Sequence, residues 1–317
     1  MWEYAALFNI PKPTELELAA HDEGWWQREG CDLRVGQMGY RTTTTIAGDT
    51  LVAEVYPTWG RKMRGQARKA KRNLTPERIR KYNKERAKFY LQLLMDANFT
   101  EEDQSMTLTY IDDPTEAEAQ KDVKNFIERL RRARKKKGLP ELKYIYALED
   151  ERDGRKKKLH CHIVMSGGME RKEVEKIWRA GSQARGYANC DQLQPNGEGL
   201  RRLAFYIYEQ NRGKTAEKSR RHYSCSKNLT KPKSRTSMSR VSNAKAKKLA
   251  RDFNGMAKTI MEKVYPGYEF VRGLRYEEHE DGTMSESCVR FSDYTGGVYI
   301  RVMMRKIPGR GQENDRR

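Results

Sequence analysis

The sequence predicts an α+β fold: a central antiparallel β-sheet flanked by helices. Three observations carry this expectation. Between Ser105 and Gln210 the segments with period-two and helical-period apolar spacing follow the order β–α–β–β–α–β–α. Two of those strands are separated only by a charged turn, which makes them an antiparallel pair. The intervening helices each carry a single apolar stripe, as helices that cover a sheet do.

The elements follow from local patterns. Residues 1–35 are a mixed lead segment. Tyr40 to Tyr56 is rich in Thr, Val and Ile around Ala47-Gly48-Asp49 and reads as a β-hairpin. Thr75-Pro76-Glu77 marks a helix start, with a capping hydroxyl before a proline at the first helical position. Ser105 to Ile111 alternates as a strand. Thr115 opens a helix that runs to Lys137, with acids in its first turn, Val123, Phe126, Ile127 and Leu130 as its stripe, and Gly138 as its stop. Leu142–Leu148 and Leu159–Met165 are strands joined by a turn over 149–158. A short helix spans 170–179, a strand 187–193 and a helix 198–210, with Leu200, Leu203, Ala204 and Ile207 facing inward. Residues 220–240 read as a polar loop, 243–264 as one basic amphipathic helix, and 268–306 as three or four strands.

Composition narrows the partner. The 317 residues include 64 Lys or Arg and 44 Asp or Glu, a formal net charge of +20. Thirteen basic residues against two acids lie between Arg61 and Lys88, seven more between Arg129 and Lys137, and four at 155–158. A single such run is often a solvated face, but three of one sign point to a polyanion, hence to nucleic acid. Arg61, Lys62, Arg64, Arg68, Lys69, Lys71 and Arg72 in the first run, Arg131 and Arg132 in the second, and Lys156, Lys157 and Lys158 in the third are the expected DNA contacts. No window approaches about 18 consecutive apolar residues, so no membrane partner is expected. Met1-Trp2-Glu3-Tyr4 has neither the basic nor the apolar part of a secretory leader, so a cytoplasmic location is expected. Five scattered cysteines without a CxxC pair fit reduced thiols and exclude a zinc finger.

Chemistry concentrates at two places. His160 and His162 occupy positions i and i+2 of one strand, so both imidazoles share a face and Cys161 takes the other. Such a pair also occurs as ordinary packing. A hairpin partner, however, brings Glu149 beside it, and two histidines with one carboxylate form a divalent-metal constellation that leaves positions open for substrate. Asp150 and Glu151 are the rival acids. On the following helix Tyr206 and Tyr208 project about 160° apart, so both cannot face one metal. A phenol with pKa near 10 is a poor nucleophile until a metal polarises the electrophile and attack is held in line. Gly213-Lys214-Thr215 mimics the end of a phosphate-binding loop, but the required upstream glycine is Tyr208, so no ATPase is expected.

The strand Ser105-Met106-Thr107-Leu108-Thr109-Tyr110-Ile111, the His160-Cys161-His162 strand and the later Tyr206-Ile207 helix follow the order seen in HUH endonucleases. Tyr144-Ile145-Tyr146-Ala147-Leu148-Glu149, Glu175-Lys176-Ile177-Trp178 and Ser224-Cys225-Ser226-Lys227-Asn228-Leu229 with Lys231-Pro232 add to the match. The chain most resembles the rolling-circle replication initiator (Rep) proteins of bacterial plasmids and phages, over about residues 104–235. That resemblance implies a ferredoxin-like, RRM-like sheet core. It implies nicking and rejoining of single-stranded origin DNA through a 5′-phosphotyrosine on Tyr206, with Tyr208 as the alternative. His160, His162 and Glu149 would hold Mg²⁺ or Mn²⁺, and imidazole ligands favour Mn²⁺. A separate host helicase and polymerase would unwind and copy the DNA. One departure is that such proteins often carry Lys three residues after the nucleophile, where this chain has Glu209.

The resemblance divides the chain into residues 1–100 (hairpin and basic DNA-binding helix), 101–235 (nicking core) and 236–317 (basic helix and strands). Two other readings compete. A conjugative relaxase or single-strand transposase shares the chemistry, but relaxases usually place the tyrosine ahead of the histidines. A non-catalytic nucleic-acid binder would use only the basic runs.

Overall fold

The computed structural model of the protein describes residues 39–58, 76–152, 155–179, 185–209, 223–251, 253–273, 275–278, 284–287, 289–292 and 297–308. In chain order the first elements are β1 (Gly39–Ala47), β2 (Thr50–Thr58), α1 (Pro76–Asp96), β3 (Gln104–Tyr110), α2 (Glu116–Lys136), β4 (Tyr144–Arg152), β5 (Arg155–Met165) and α3 (Arg171–Arg179). They continue as β6 (Arg185–Gln192), α4 (Arg201–Glu209), β7 (Ser224–Cys225), β8 (Lys233–Ser237), α5 (Asn243–Arg251), α6 (Phe253–Val264), β9 (Tyr268–Gly273), β10 (Arg275–Glu278), β11 (Met284–Ser287), β12 (Val289–Ser292) and β13 (Gly297–Lys306). The arrangement is α+β, with antiparallel sheets and flanking helices. Among the described residues no helix is long and apolar enough to cross a membrane.

Contacts divide the chain into two units, 87–231 and the remainder on either side of it. In the 87–231 unit five antiparallel strands run in the order β6-β3-β5-β4-β7. Strand alternation sorts their side chains onto two faces. Met106, Leu108, Tyr146, Leu148, Cys161 and Ile163 pack beneath α2 and α3, around the fully buried Trp178 that Tyr110 and Phe126 meet edge-on. Ile145, Ala147 and Val164 face the other way, under α1 and α4. Helix α2 starts as its sequence dictates: Thr115 and Glu118 form a reciprocal capping box that satisfies two otherwise orphaned amides. It ends at Gly138, whose φ of 68° suits glycine.

In the other unit, β1 and β2 join strands from the far end of the sequence in one sheet, β12-β13-β2-β1-β8, with β9 on β13. Its buried face, including Leu51, Ala53, Val55, Ile300 and Val302, packs against α5 and α6.

Three expectations need correction. Residues 149–158 are not a turn: β4 runs on to Arg152 and β5 begins at Arg155, so Glu149 is a strand residue paired with His160 and Lys156–Lys158 lie on β5. The charges there mark strand ends that have left the core. The segment 220–240 is not wholly loop, since it supplies β7 and β8. Strand β8 has no apolar alternation to read. It is an exposed edge strand, matched to β1 by hydroxyl pairs Thr43–Thr236 and Thr45–Ser234 at 3.2 and 2.9 Å. The helix expected over 243–264 is two, ending at Arg251 and resuming at Phe253.

Candidate active site

Three strands and one helix meet over His162. On β5, His160 and His162 turn to the face of α4 while Cys161 enters the opposite core, as period-two alternation requires. Pairing places Glu149 of β4 opposite His160, and both Ala147 of β4 and Thr107 of β3 opposite His162. Glu149 Oε2 stands 2.7 Å from His160 Nε2 and 2.9 Å from His162 Nε2. Two imidazole nitrogens and one carboxylate oxygen therefore converge.

The second ring nitrogens are held from behind. His160 Nδ1 lies 2.8 Å from the Lys158 carbonyl, which can only accept, so Nδ1 carries the proton. His162 Nδ1 faces Thr107 Oγ1 at 3.2 Å. A neutral His160 then directs a lone pair from Nε2 at the Glu149 carboxylate, an arrangement that needs a cation, either a proton or a metal ion. Outer partners on Nδ1 that present Nε2 are the usual support of metal-ligating histidines.

Glu149 gives the test of fit for a metal. It is 1% exposed, yet its Oε1 is buried without a hydrogen-bond partner. A buried carboxylate oxygen left unpaired is costly unless a cation satisfies it. Neighbouring ligands of an octahedral divalent ion with bonds of about 2.1 Å stand about 3 Å apart, close to the two distances seen here. Glu149, His160 and His162 are the one group of His, Cys, Asp and Glu with this geometry among the described residues. Two imidazoles and a carboxylate suit a divalent ion with open positions.

Helix α4 brings tyrosine to this group. Tyr206 Oη lies 3.4 Å from His162 Nε2, its ring edge-on to the imidazole with centroids 5.0 Å apart, and it reaches solvent. Tyr208, two residues on, is 3% exposed and packs with Leu91, Ile145 and Ile207. The start of α4 is fixed by α1. Asp96 Oδ1 accepts from Leu200 N at 2.8 Å, and Gln92 Nε2 donates to the Glu198 carbonyl. The acid also suits the positive end of the helix. At Gly199, φ is 68° and a Cβ would fall 2.5 Å from Asp96 Oδ1, so side chains are excluded twice over.

The far end of α4 holds a contact that sequence reasoning missed. Glu209 pairs at 2.6 Å with Lys88 of α1, a buried lysine that also lies over the Phe205 ring. Where similar proteins often carry a lysine, this chain has an acid and draws an ammonium from another helix. Nothing local to either residue signals the pair.

The expected DNA contacts distribute unevenly. Arg61, Lys62, Arg64, Arg68, Lys69, Lys71 and Arg72 lie outside the described residues, and Lys156 and Lys157 are described only as strand residues. Lys158 Nζ donates to the Ile111 carbonyl. On α2, Arg132 is exposed, and Arg131 pairs with Glu128 while covering Tyr144.

No curated protein and no solved structure matches this chain. Residues 103–209, the span from β3 through α4 that carries Glu149, His160, His162 and Tyr206, match the family model of the replication-associated protein ORF2.

Proposed function

We propose that the protein initiates rolling-circle DNA replication by nicking and rejoining single-stranded origin DNA in the 87–231 unit. The observation that carries the reading is the meeting of Tyr206 with the Glu149–His160–His162 group, inside the stretch that matches a replication-associated family. Glu149, His160 and His162 hold Mg²⁺ or Mn²⁺. When bound there, the ion supplies Lewis-acid neutralisation of the scissile phosphate.

The chain's own residues do the rest. Helix α4, anchored at its start by Asp96 and Gln92, holds the Tyr206 hydroxyl at the edge of the group, where solvent and a DNA strand have access. Tyr206 loses its proton and its oxygen attacks phosphorus. The new bond is Tyr206 O–P, the bond broken is P–O3′, and the departing O3′ takes up a proton to become a free 3′-OH. The phosphodiester's energy stays in the 5′-phosphotyrosine, so attack by a 3′-OH reverses the step and rejoins the ends. Positioning and charge neutralisation dominate, as expected for phosphoryl transfer. The basic runs supply a salt-sensitive grip on DNA. Unwinding and copying fall to separate host proteins.

Incubation with single-stranded origin-like DNA and Mn²⁺ tests this. A covalent adduct is expected from the wild type and from Tyr208→Phe, and none from Tyr206→Phe. An adduct that survives in Tyr206→Phe and vanishes in Tyr208→Phe moves the nucleophile. Its absence throughout, with retention on DNA that only salt weakens and that metal does not affect, leaves a non-catalytic binder.

A further inference from the structure

At the β7 edge of the five-stranded sheet lies a cleft of about 580 Å³, lined by none of the metal-ligating residues. Four of its walls are phenol rings: Tyr144 and Tyr146 from β4, Tyr208 from α4 and Tyr223 just before β7. Tyr144 and Tyr146 stack with centroids 6.2 Å apart and 25° between planes. Cations stand at the rim. Lys124 of α2 lines the cleft, and the Arg131 guanidinium lies 5.7 Å above the Tyr144 ring. Arg131 holds Glu128 through Nη1, yet its Nε is a buried donor without a partner.

Tyrosines gathered at a sheet edge can be mere packing, and then the volume between them means nothing. Two features weigh against that. The volume falls in the range of small-ligand sites. The combination of several π-faces with two cations is also what an aromatic ring attached to a phosphate requires. An acidic peptide would meet the cations but leave the rings without a planar partner.

The cleft and the candidate active site share their supports. Strand β4 carries Tyr146 into the cleft and, three residues or about 10 Å further along, Glu149 into the metal-ligating group. Helix α4 likewise turns Tyr208 to the cleft and Tyr206 to His162. We infer that the cleft takes one unstacked nucleobase of the same single strand whose phosphate meets Tyr206, gripping it between tyrosine rings with Lys124 and Arg131 on the adjoining phosphate. This rests on the reading of the protein as a single-strand nickase. It adds a fixed base pocket that sets the strand's register at the nick.

The test uses the full chain and single-stranded DNA in which thymines are replaced by 5-iodouracil, which crosslinks to stacked aromatic rings under ultraviolet light. Crosslinked peptides are expected to contain Tyr144 or Tyr223. Plugging the cleft at its exposed rim with Cys225→Trp should cut that crosslinking about tenfold, in line with the loss of one stacked base. Affinity for unmodified DNA should fall by a similar factor in Tyr144→Ala and stay near wild type in Tyr144→Phe, with circular dichroism checking that each variant is folded. Crosslinks only elsewhere, or crosslinks at Tyr144 and Tyr223 that Cys225→Trp leaves intact, overturn the inference. Adduct formation with Mn²⁺ is measured on the same samples. An adduct without cleft crosslinks removes the base pocket alone, cleft crosslinks without an adduct remove the nicking reaction alone, and no binding of single strands removes both.

Discussion

Replacing Glu149 with glutamine should erase the thermal stabilisation that Mn²⁺ gives the protein. At a free ion concentration a hundredfold above the dissociation constant, an ion bound only by the folded state adds about 2.7 kcal/mol. For a unit the size of 87–231, each kcal/mol raises Tm by roughly 2–4 °C, so the wild type should gain roughly 5–11 °C. Glu149 supplies one of three converging ligand atoms, and its own burial sharpens the contrast. The carboxylate is 1% exposed and one of its oxygens has no hydrogen-bond partner, so without metal it is a poorly solvated anion. The neutral amide has the same shape and removes that cost. Metal-free Glu149→Gln should therefore melt no lower than metal-free wild type, while its response to Mn²⁺ falls to within error. Scanning calorimetry with Mn²⁺ and with EDTA reads both numbers. A full Mn²⁺ shift retained in Glu149→Gln places the ion elsewhere, and no shift in the wild type at saturating ion refutes the metal group itself.

Other outcomes follow from the same contacts. Gly199→Ala forces a β-carbon onto the Asp96 carboxylate at positive φ. With about 1–2 kcal/mol for the left-handed backbone and about 1 for the displaced cap, urea denaturation should show a loss of roughly 2–3 kcal/mol, with a drop in adduct yield from a misplaced Tyr206. Glu209→Ala, which strips the carboxylate from a buried ammonium, should cost about 1–3 kcal/mol and more than Lys88→Met, where Glu209 can turn to water. Equal losses would contradict the burial asymmetry of the pair. Burial pushes the Tyr223 hydroxyl up to about 12, from an ordinary value near 10. The folded state favours the protonated phenol, so this contribution is complete below about pH 10 and is lost as pH rises toward 12. Tyr223→Phe should flatten the alkaline fall in Tm over that window, and an unchanged slope would show that the hydroxyl is not responsible.

What could be read from the sequence was what is local. The His160/His162 alternation, the Thr115 start and Gly138 stop of α2, and the strand–helix order of the 87–231 unit each depend on residues a few positions apart. The extent of β4 and β5 was hidden because their ends carry charge rather than apolar alternation, so that Glu149 read as a turn residue. Strands β7 and β8 were hidden because short polar edges have no burial pattern. The pairs Lys88–Glu209 and Asp96–Leu200 join helices more than a hundred residues apart, and no periodicity reports such contacts. The same holds for β13, whose pairing with β2 sets Ile300 against Val55.

That last pairing has a consequence for synthesis. Strand β13 lies between β2 on one side and β12 and β9 on the other, yet it leaves the ribosome long after β2. At about 5–20 residues per second the interval is on the order of tens of seconds. Throughout it, β2 has one hydrogen-bonding edge unfilled, beside the apolar side chains Leu51, Ala53 and Val55, the kind of edge that invites pairing with another nascent chain. The 87–231 stretch, with its own core, can fold during the wait. Premature termination before residue 297 would thus remove the middle of a sheet rather than trim its margin, and the truncated product would be prone to aggregate while still carrying an intact set of metal ligands.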